Sequence, residues 1–160
     1  MRIALIVGIN HYDHGGSLFG CVNDAHAVKS ILERHDGGAV NFDCKLMTGT
    51  DPTKNVTRSE LKDQIEQLFK ADSEVALFYF AGHGHIEASG GYLLASDSSR
   101  GDEGVSLNEI LVFANQSPAK NKIIVLDSCH SGIAGVDFLK EINCFTLVLN
   151  TGRCSHAPRD

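Results

Sequence analysis

A histidine and a cysteine, each at the polar tip of an apolar run, are the residues of this chain best suited to covalent chemistry. The run Val75-Ala-Leu-Phe-Tyr-Phe80 leads into Ala81-Gly82-His83-Gly84-His85, and Lys122-Ile-Ile-Val-Leu126 leads into Asp127-Ser128-Cys129-His130-Ser131-Gly132. In an open parallel sheet the carboxyl ends of the strands form the ligand crevice, so His83 and Cys129 are expected to converge there despite their separation in sequence. A thiol beside an imidazole makes a nucleophile and its base. The surrounding glycines let the backbone turn sharply and bring N–H groups towards a developing oxyanion.

Those two tips need a scaffold, and the rest of the chain alternates strand and helix patterns that can supply one. Residues 2–8 form an apolar run ending at Gly8, and residues 23–34 repeat apolar positions at helical spacing through Ala27, Val28, Ile31 and Leu32. Residues 41–47 alternate as a strand does, and Asp51-Pro52 closes that segment. Thr57-Arg-Ser-Glu60 has capping-box spacing ahead of a helix whose apolar face carries Leu61, Ile65, Leu68 and Phe69. After His83 a glycine-containing excursion over residues 84–104 includes a hairpin near residues 90–94. Ser106-Leu-Asn-Glu109 repeats the capping-box spacing before a short helix, and residues 145–149 read as a last strand. The alternation predicts an α/β layered fold.

The 160 residues suit one domain with a substantial core. Hydrophobic residues make up 42% and charged residues 21%, and the formal net charge is −6, which argues against a general nucleic-acid backbone binder and favours a basic peptide as partner. No apolar run approaches the ~20 residues that span a bilayer, and residues 1–7 are too short for a secretory signal, so a cytoplasmic protein without a membrane partner is expected. The five cysteines, Cys21, Cys44, Cys129, Cys144 and Cys154, include no C-x-x-C pair, and neither a disulfide framework nor a structural zinc site is indicated. Cys44 and Cys144 read as packing thiols; Cys129, among glycine and polar residues, does not.

These motifs resemble the caspase-like cysteine peptidases (peptidase C14 type), closest to the metacaspase and bacterial orthocaspase branch. The resemblance rests on Ala4-Leu-Ile-Val-Gly-Ile-Asn10 with Tyr12, Leu18-Phe-Gly-Cys-Val-Asn-Asp-Ala25, Phe80-Ala-Gly-His-Gly84 and Leu126-Asp-Ser-Cys-His-Ser-Gly132. It implies a caspase-like, mostly parallel sheet flanked by helices in three α/β/α layers. His83 and Cys129 become the catalytic dyad, the order His before Cys agrees, and the N–H groups of Gly84 and Cys129 become the oxyanion donors. Animal caspases cleave after aspartate using arginines, one of them from the segment after the first strand, whereas residues 3–28 here contain no Lys or Arg. Asp24 and Asp127 instead match the acidic pocket positions of metacaspases, and Cys21 matches another pocket-lining position; Ala81 stands where some metacaspases place a serine. Two carboxylates favour a guanidinium, so cleavage after Arg, with Lys weaker, is expected.

The excursion after His83 carries Glu87, Asp97, Asp102 and Glu103 rather than the dense Asp cluster of calcium-activated relatives, so no metal site and no cofactor are expected. The complete family fold has six strands, and its small-subunit portion completes the pocket; this chain stops near the fifth. It is therefore expected to be the large-subunit portion of a domain, partnered by a small-subunit chain or an upstream activator, or else a shortened homologue. A non-enzymatic caspase-like module that binds a partner is the alternative. A flavodoxin-like binding protein explains the sheet but not the motifs. His11-Tyr-Asp-His14 reads as a polar loop, and His85 and His130 as polar residues of cleft loops, rather than as metal ligands.

Overall fold

The computed structural model describes residues 1–99 and 104–128 together with the backbone of residues 145–150. Its elements follow in the order β1 (Arg2–Ile9), α1 (Cys21–Glu33), β2 (Asp43–Gly49), α2 (Arg58–Lys70), β3 (Val75–Gly82), β4 (Gly84–Glu87), β5 (Gly90–Leu93), β6 (Val105–Ser106), α3 (Leu107–Gln116), β7 (Asn121–Ser128) and β8 (Phe145–Asn150). Strands β2-β1-β3-β7-β8 form one parallel sheet, and β4-β5-β6 form a small antiparallel sheet. The strand order reverses between β1 and β3, because the chain first steps outward to β2 and then returns to build the other side. Right-handed crossovers consequently put α1 on one face and α2 and α3 on the other. This is the caspase-like α/β fold, a mostly parallel sheet between helical layers.

Strand β3 is covered on both faces, which is why Ala76 to Ala81 are all buried and the run shows no polar alternation. On the α1 face the fit depends on Gly8. A Cβ there would lie 2.4 Å from the Cys21 carbonyl oxygen and 2.7 Å from Ala25 Cβ, so only glycine lets α1 settle onto the sheet. On the opposite face α2 buries Leu61, Ile65, Leu68 and Phe69, as its periodicity requires. Each such side chain contributes about 1.5–3 kcal/mol of apolar transfer.

The two capping-box sequences behave differently. At Thr57 both reciprocal bonds form: the Glu60 N–H donates to Thr57 Oγ1 (3.2 Å) and the Thr57 N–H donates to Glu60 Oε2 (3.1 Å). At Ser106 the helix starts where expected, but the side-chain cap is not made. Ser106 belongs to β6, paired with Tyr92, while the Glu109 carboxylate binds Lys62 of α2 at 2.6 Å. Tertiary partners thus outcompete the local box. The strand expected over residues 41–47 lies two residues later, because pairing with β1 runs from Ile3 opposite Asp43 to Ile9 opposite Gly49, and the Asn41 side chain instead accepts a bond from Arg2. The excursion after His83 contains the expected hairpin, with β4 and β5 as its arms.

Among the described residues no helix is long and apolar enough to cross a membrane.

Candidate active site

Where the strand order reverses, the connections leaving β1 and β3 diverge and open a crevice at the carboxyl ends of those strands. His83 is the first residue beyond β3, so it enters this crevice from the centre of the sheet. Its position is held from three directions. The main-chain N–H donates to the Tyr12 hydroxyl at 2.7 Å, the carbonyl accepts from the Leu94 N–H at 3.0 Å, and the ring Nε2 lies 2.8 Å from the Gly16 carbonyl oxygen. A carbonyl can only accept, so Nε2 is the donor in this contact. The Tyr12 ring packs on the imidazole with centroids 4.6 Å apart and planes inclined by 54°.

The segment that supplies Tyr12 and Gly16 is itself tied down. The Asn10 and His11 N–H groups donate to the Gly49 carbonyl at 2.9 and 3.1 Å, the Asp13 N–H donates to the Ser96 carbonyl at 2.8 Å, and the Leu18 N–H closes back on the Asn10 carbonyl at 2.8 Å. Tyr12 is buried. The polar loop read at residues 11–14 is thus corrected at its centre: His11 pairs with Asp13 at 2.9 Å on the outside, while the aromatic ring turns inward onto His83. Gly82 makes room for it, since a Cβ at that position would lie 2.5 Å from the Tyr12 hydroxyl oxygen.

Gly84 opens β4 opposite Leu93. The bond from Leu94 N–H to the His83 carbonyl makes residues 83 and 94 the hydrogen-bonded pair. Alternation along an antiparallel ladder then puts Gly84 at a non-hydrogen-bonded position, its N–H directed away from β5.

The acidic residues gather one strand away. In register, Ala81 stands opposite Asp127, so Asp127 shares the α1 face of the sheet with Tyr79 and Ala81. The Tyr79 hydroxyl donates to Asp127 Oδ2 at 3.3 Å. Cys21 opens α1 and is buried, and Asp24 lies exposed in the first turn of the same helix. The Tyr79 phenol reports their proximity: burial foremost, then the charges of Asp127 and Asp24, the bond to Asp127 and finally Cys21 hold it well above the ordinary tyrosine range. The start of α1, with Cys21 and Asp24, thus packs on the face of the sheet that Tyr79 and Asp127 share.

Cys129 and His130 lie outside the described residues, as do Asp102, Glu103, Cys144 and Cys154. The last residue of β7, Ser128, is buried opposite Gly82. Of the other acids in the excursion, Glu87 pairs with His85 at 3.0 Å and Asp97 accepts the Arg58 N–H at 2.7 Å. No group of three or more His, Cys, Asp or Glu side chains among the described residues is placed to share a metal ion. Cys44 is half-buried, its thiol pushed up mainly by burial and then by the Glu33 charge.

The arrangement of strand ends agrees with sequence comparison, in which the caspase domain profile (peptidase C14) matches residues 1–151. The chain belongs to the caspase-domain peptidase family. It is 24% identical to metacaspase-1 of Mycosarcoma maydis and 29% identical to metacaspase-8 of Arabidopsis thaliana, covering 83% and 81% of this chain and 36% of each relative. Metacaspase-1 of Kluyveromyces lactis is 26% identical over 82% of this chain and 33% of its own length. The chain thus spans about a third of the length of these relatives.

The sequence assigns no role to the Gly16 carbonyl or to Tyr79, and places Tyr12 only in a family motif and a polar loop. Tyr12 carried a usable signal, an aromatic within a polar stretch just past a strand end. Tyr79 carried a weaker one, a hydroxyl inside an otherwise apolar run. Gly16 carried none, because a main-chain acceptor is independent of residue type.

Proposed function

We propose that the protein is a cysteine endopeptidase that cleaves peptide bonds after basic residues, Arg in preference to Lys, with Cys129 and His83 as its dyad. The observation that carries this reading is the fixed imidazole of His83. With Nε2 turned to the Gly16 carbonyl, Nδ1 is the ring nitrogen that would accept the thiol proton of a nucleophile and return it to a leaving amine. Membership of the peptidase family and the placement of Ser128 opposite Gly82, one residue short of each dyad member, support the pairing.

In the first half-reaction Cys129 Sγ attacks the scissile carbonyl carbon, the carbonyl π pair moves onto oxygen, and the C–N bond breaks as His83 passes a proton to the amine. The N–H groups of Gly84 and Cys129 stabilise the oxyanion; the Gly84 N–H, directed off the hairpin, suits that task. Water then attacks the thioester carbon as His83 takes one of its protons, and the C–S bond breaks with return of that proton to Cys129 Sγ, releasing the acid and restoring the thiol. Asp24 and Asp127 receive the basic side chain of the substrate, with Cys21 lining the same pocket. The chemistry uses no metal or cofactor.

The test is turnover of fluorogenic peptides ending in Arg, Lys or Asp by the full-length protein. Arg over Lys, with no cleavage after Asp, is the expected order. Cys129→Ala and His83→Ala should each abolish turnover in a folded protein. Retained activity in Cys129→Ala excludes the nucleophile, preferential cleavage after Asp excludes the acidic pocket, and absence of turnover on every peptide favours a partner-binding module.

A further inference from the structure

Tyr79 is the one hydroxyl in a buried, otherwise apolar strand, and the chemistry above makes no use of it. A phenol placed among apolar side chains costs free energy unless its hydroxyl is bonded, and here it is bonded to the carboxylate assigned to substrate recognition. Strand register leaves it little choice of partner. Tyr79 stands opposite Ile6 and Val125, two residues before Ala81, which itself stands opposite Gly8 and Asp127. The small side chains at positions 81 and 8 leave the α1 face low enough for the phenol to reach along β3 towards Asp127. A carboxylate is acceptor-only, so the phenol proton points to Asp127 Oδ2, and the hydroxyl oxygen retains lone pairs for another donor. Burial and the neighbouring acids hold the phenol protonated across the range in which the site would work.

We infer that Tyr79 is a specificity-determining residue: its hydroxyl orients the Asp127 carboxylate and accepts a hydrogen bond from the guanidinium of an arginine substrate. The inference rests on the proposed cleavage after basic residues and deepens it. Guanidinium presents five N–H donors in a rigid plane, enough to engage two carboxylates and a phenol together. An ammonium is a compact, strongly hydrated point charge that satisfies its three donors on carboxylates and water. Tyr79 therefore favours Arg over Lys, which charge alone does only weakly.

The experiment compares wild type, Tyr79→Phe, Asp127→Asn and the double variant in the full-length protein, on peptides that differ only in Arg or Lys. Tyr79→Phe keeps the ring and removes the hydroxyl. Its KM on the Arg peptide should rise about tenfold, the loss of one charge-assisted bond, with kcat within about twofold. The Arg-to-Lys ratio of kcat/KM should fall several-fold, and labelling of Cys129 by an uncharged alkylating probe should keep its wild-type rate. In the Asp127→Asn background the same change should cost at most about twofold, because the two groups act as a unit. An unchanged Arg-to-Lys ratio, an equal kcat loss on both peptides, or full additivity with Asp127→Asn overturns the inference. If wild type shows no preference for basic peptides, the pocket reading itself fails and takes the inference with it. If wild type prefers Arg and Tyr79→Phe does too, only the role of Tyr79 fails.

Discussion

His83 and Asp127 emerge from adjacent strands at the same end of the sheet, yet they are held by different physics. His83 is fixed by bonds from its main chain and ring to Tyr12, Leu94 and Gly16, and the segment carrying Tyr12 and Gly16 is anchored again at Gly49 and Ser96. Asp127 has a longer bond, 3.3 Å, to Tyr79, and shares its neighbourhood with a second acid, Asp24, carried on an exposed helical turn. The group proposed to move protons is thus half-exposed but held by a frame anchored on several segments. The groups proposed to recognise charge sit where a substrate cation would relieve the mutual repulsion of two carboxylates. Geometry governs one half of the site and electrostatics the other, so damage to each half should register in different kinetic constants.

The largest effect is expected from Gly82→Ala, which attacks the frame alone. The added Cβ would meet the Tyr12 hydroxyl oxygen at 2.5 Å and the Phe80 ring at 2.9 Å, so Tyr12 must withdraw from the His83 N–H. A displacement of about 1 Å at the imidazole should lower kcat roughly a hundredfold, with KM for Arg peptides little changed. Steady-state kinetics on the folded variant check this, and a change confined to KM would show that the halves are not separable.

A smaller effect, and the complementary one, should follow removal of charge from the recognition half. Asp127→Asn should cut kcat/KM on Arg peptides about ten- to a hundredfold, the worth of a charge-assisted hydrogen bond at a half-buried carboxylate. Asp24→Asn should cost only about fivefold, because an exposed pair is screened, and added salt should erase that difference first. Equal losses at low and high salt for Asp24 would contradict its exposed placement.

Alkaline stability sharpens the contrast without any substrate. The Tyr79 phenol is raised in the folded protein, so its contribution to stability is fully present below the unfolded value of about 10 and is lost as pH rises above it. Cys44, whose thiol is also raised, adds a loss of the same sign from about pH 9 upward. Melting temperature should therefore fall between pH 8 and pH 11, and Tyr79→Phe should flatten that fall. An identical fall in Tyr79→Phe would mean that the phenol titrates freely.

The smallest effect concerns a carboxylate to which the proposed chemistry gives no role. Asp51 accepts from the Thr53 hydroxyl at 2.6 Å and from the Thr53 and Lys54 N–H groups at 2.8 and 2.9 Å, and these bonds lower it from 3.8 to about 2. Its support of the turn is present above 3.8 and lost as pH falls through about 2. Carboxyl-carbon NMR should show Asp51 titrating near 2, and Thr53→Ala should move it back towards the ordinary value. Hydrogen bonding by itself can thus tune a carboxylate here.

Much of this is legible in the sequence. The buried face of α2, the alternation of strands and helices and the emergence of His83 from a strand end follow from periodicity and from polar tips on apolar runs, signals that local sequence carries because burial selects residue type. The failures are equally physical. Ser106 and Glu109 spell a capping box, yet β6 pairing and Lys62 claim them, since a nonlocal partner can outbid a local one. Tyr12 lies in a stretch that reads as surface, and its burial depends on the Gly49 and Ser96 carbonyls, which belong to distant segments.

By itself, then, the sequence determined the α/β alternation, the residue types able to do thiol chemistry and the acidic character of the neighbouring positions, because these depend on side-chain identity at short range. The tertiary structure decided which acceptor holds the ring of His83, which tyrosine steadies its main chain, and which buried phenol bridges towards Asp127. Those choices rest on main-chain carbonyls and on register between strands far apart in the chain, and neither leaves a mark on local composition.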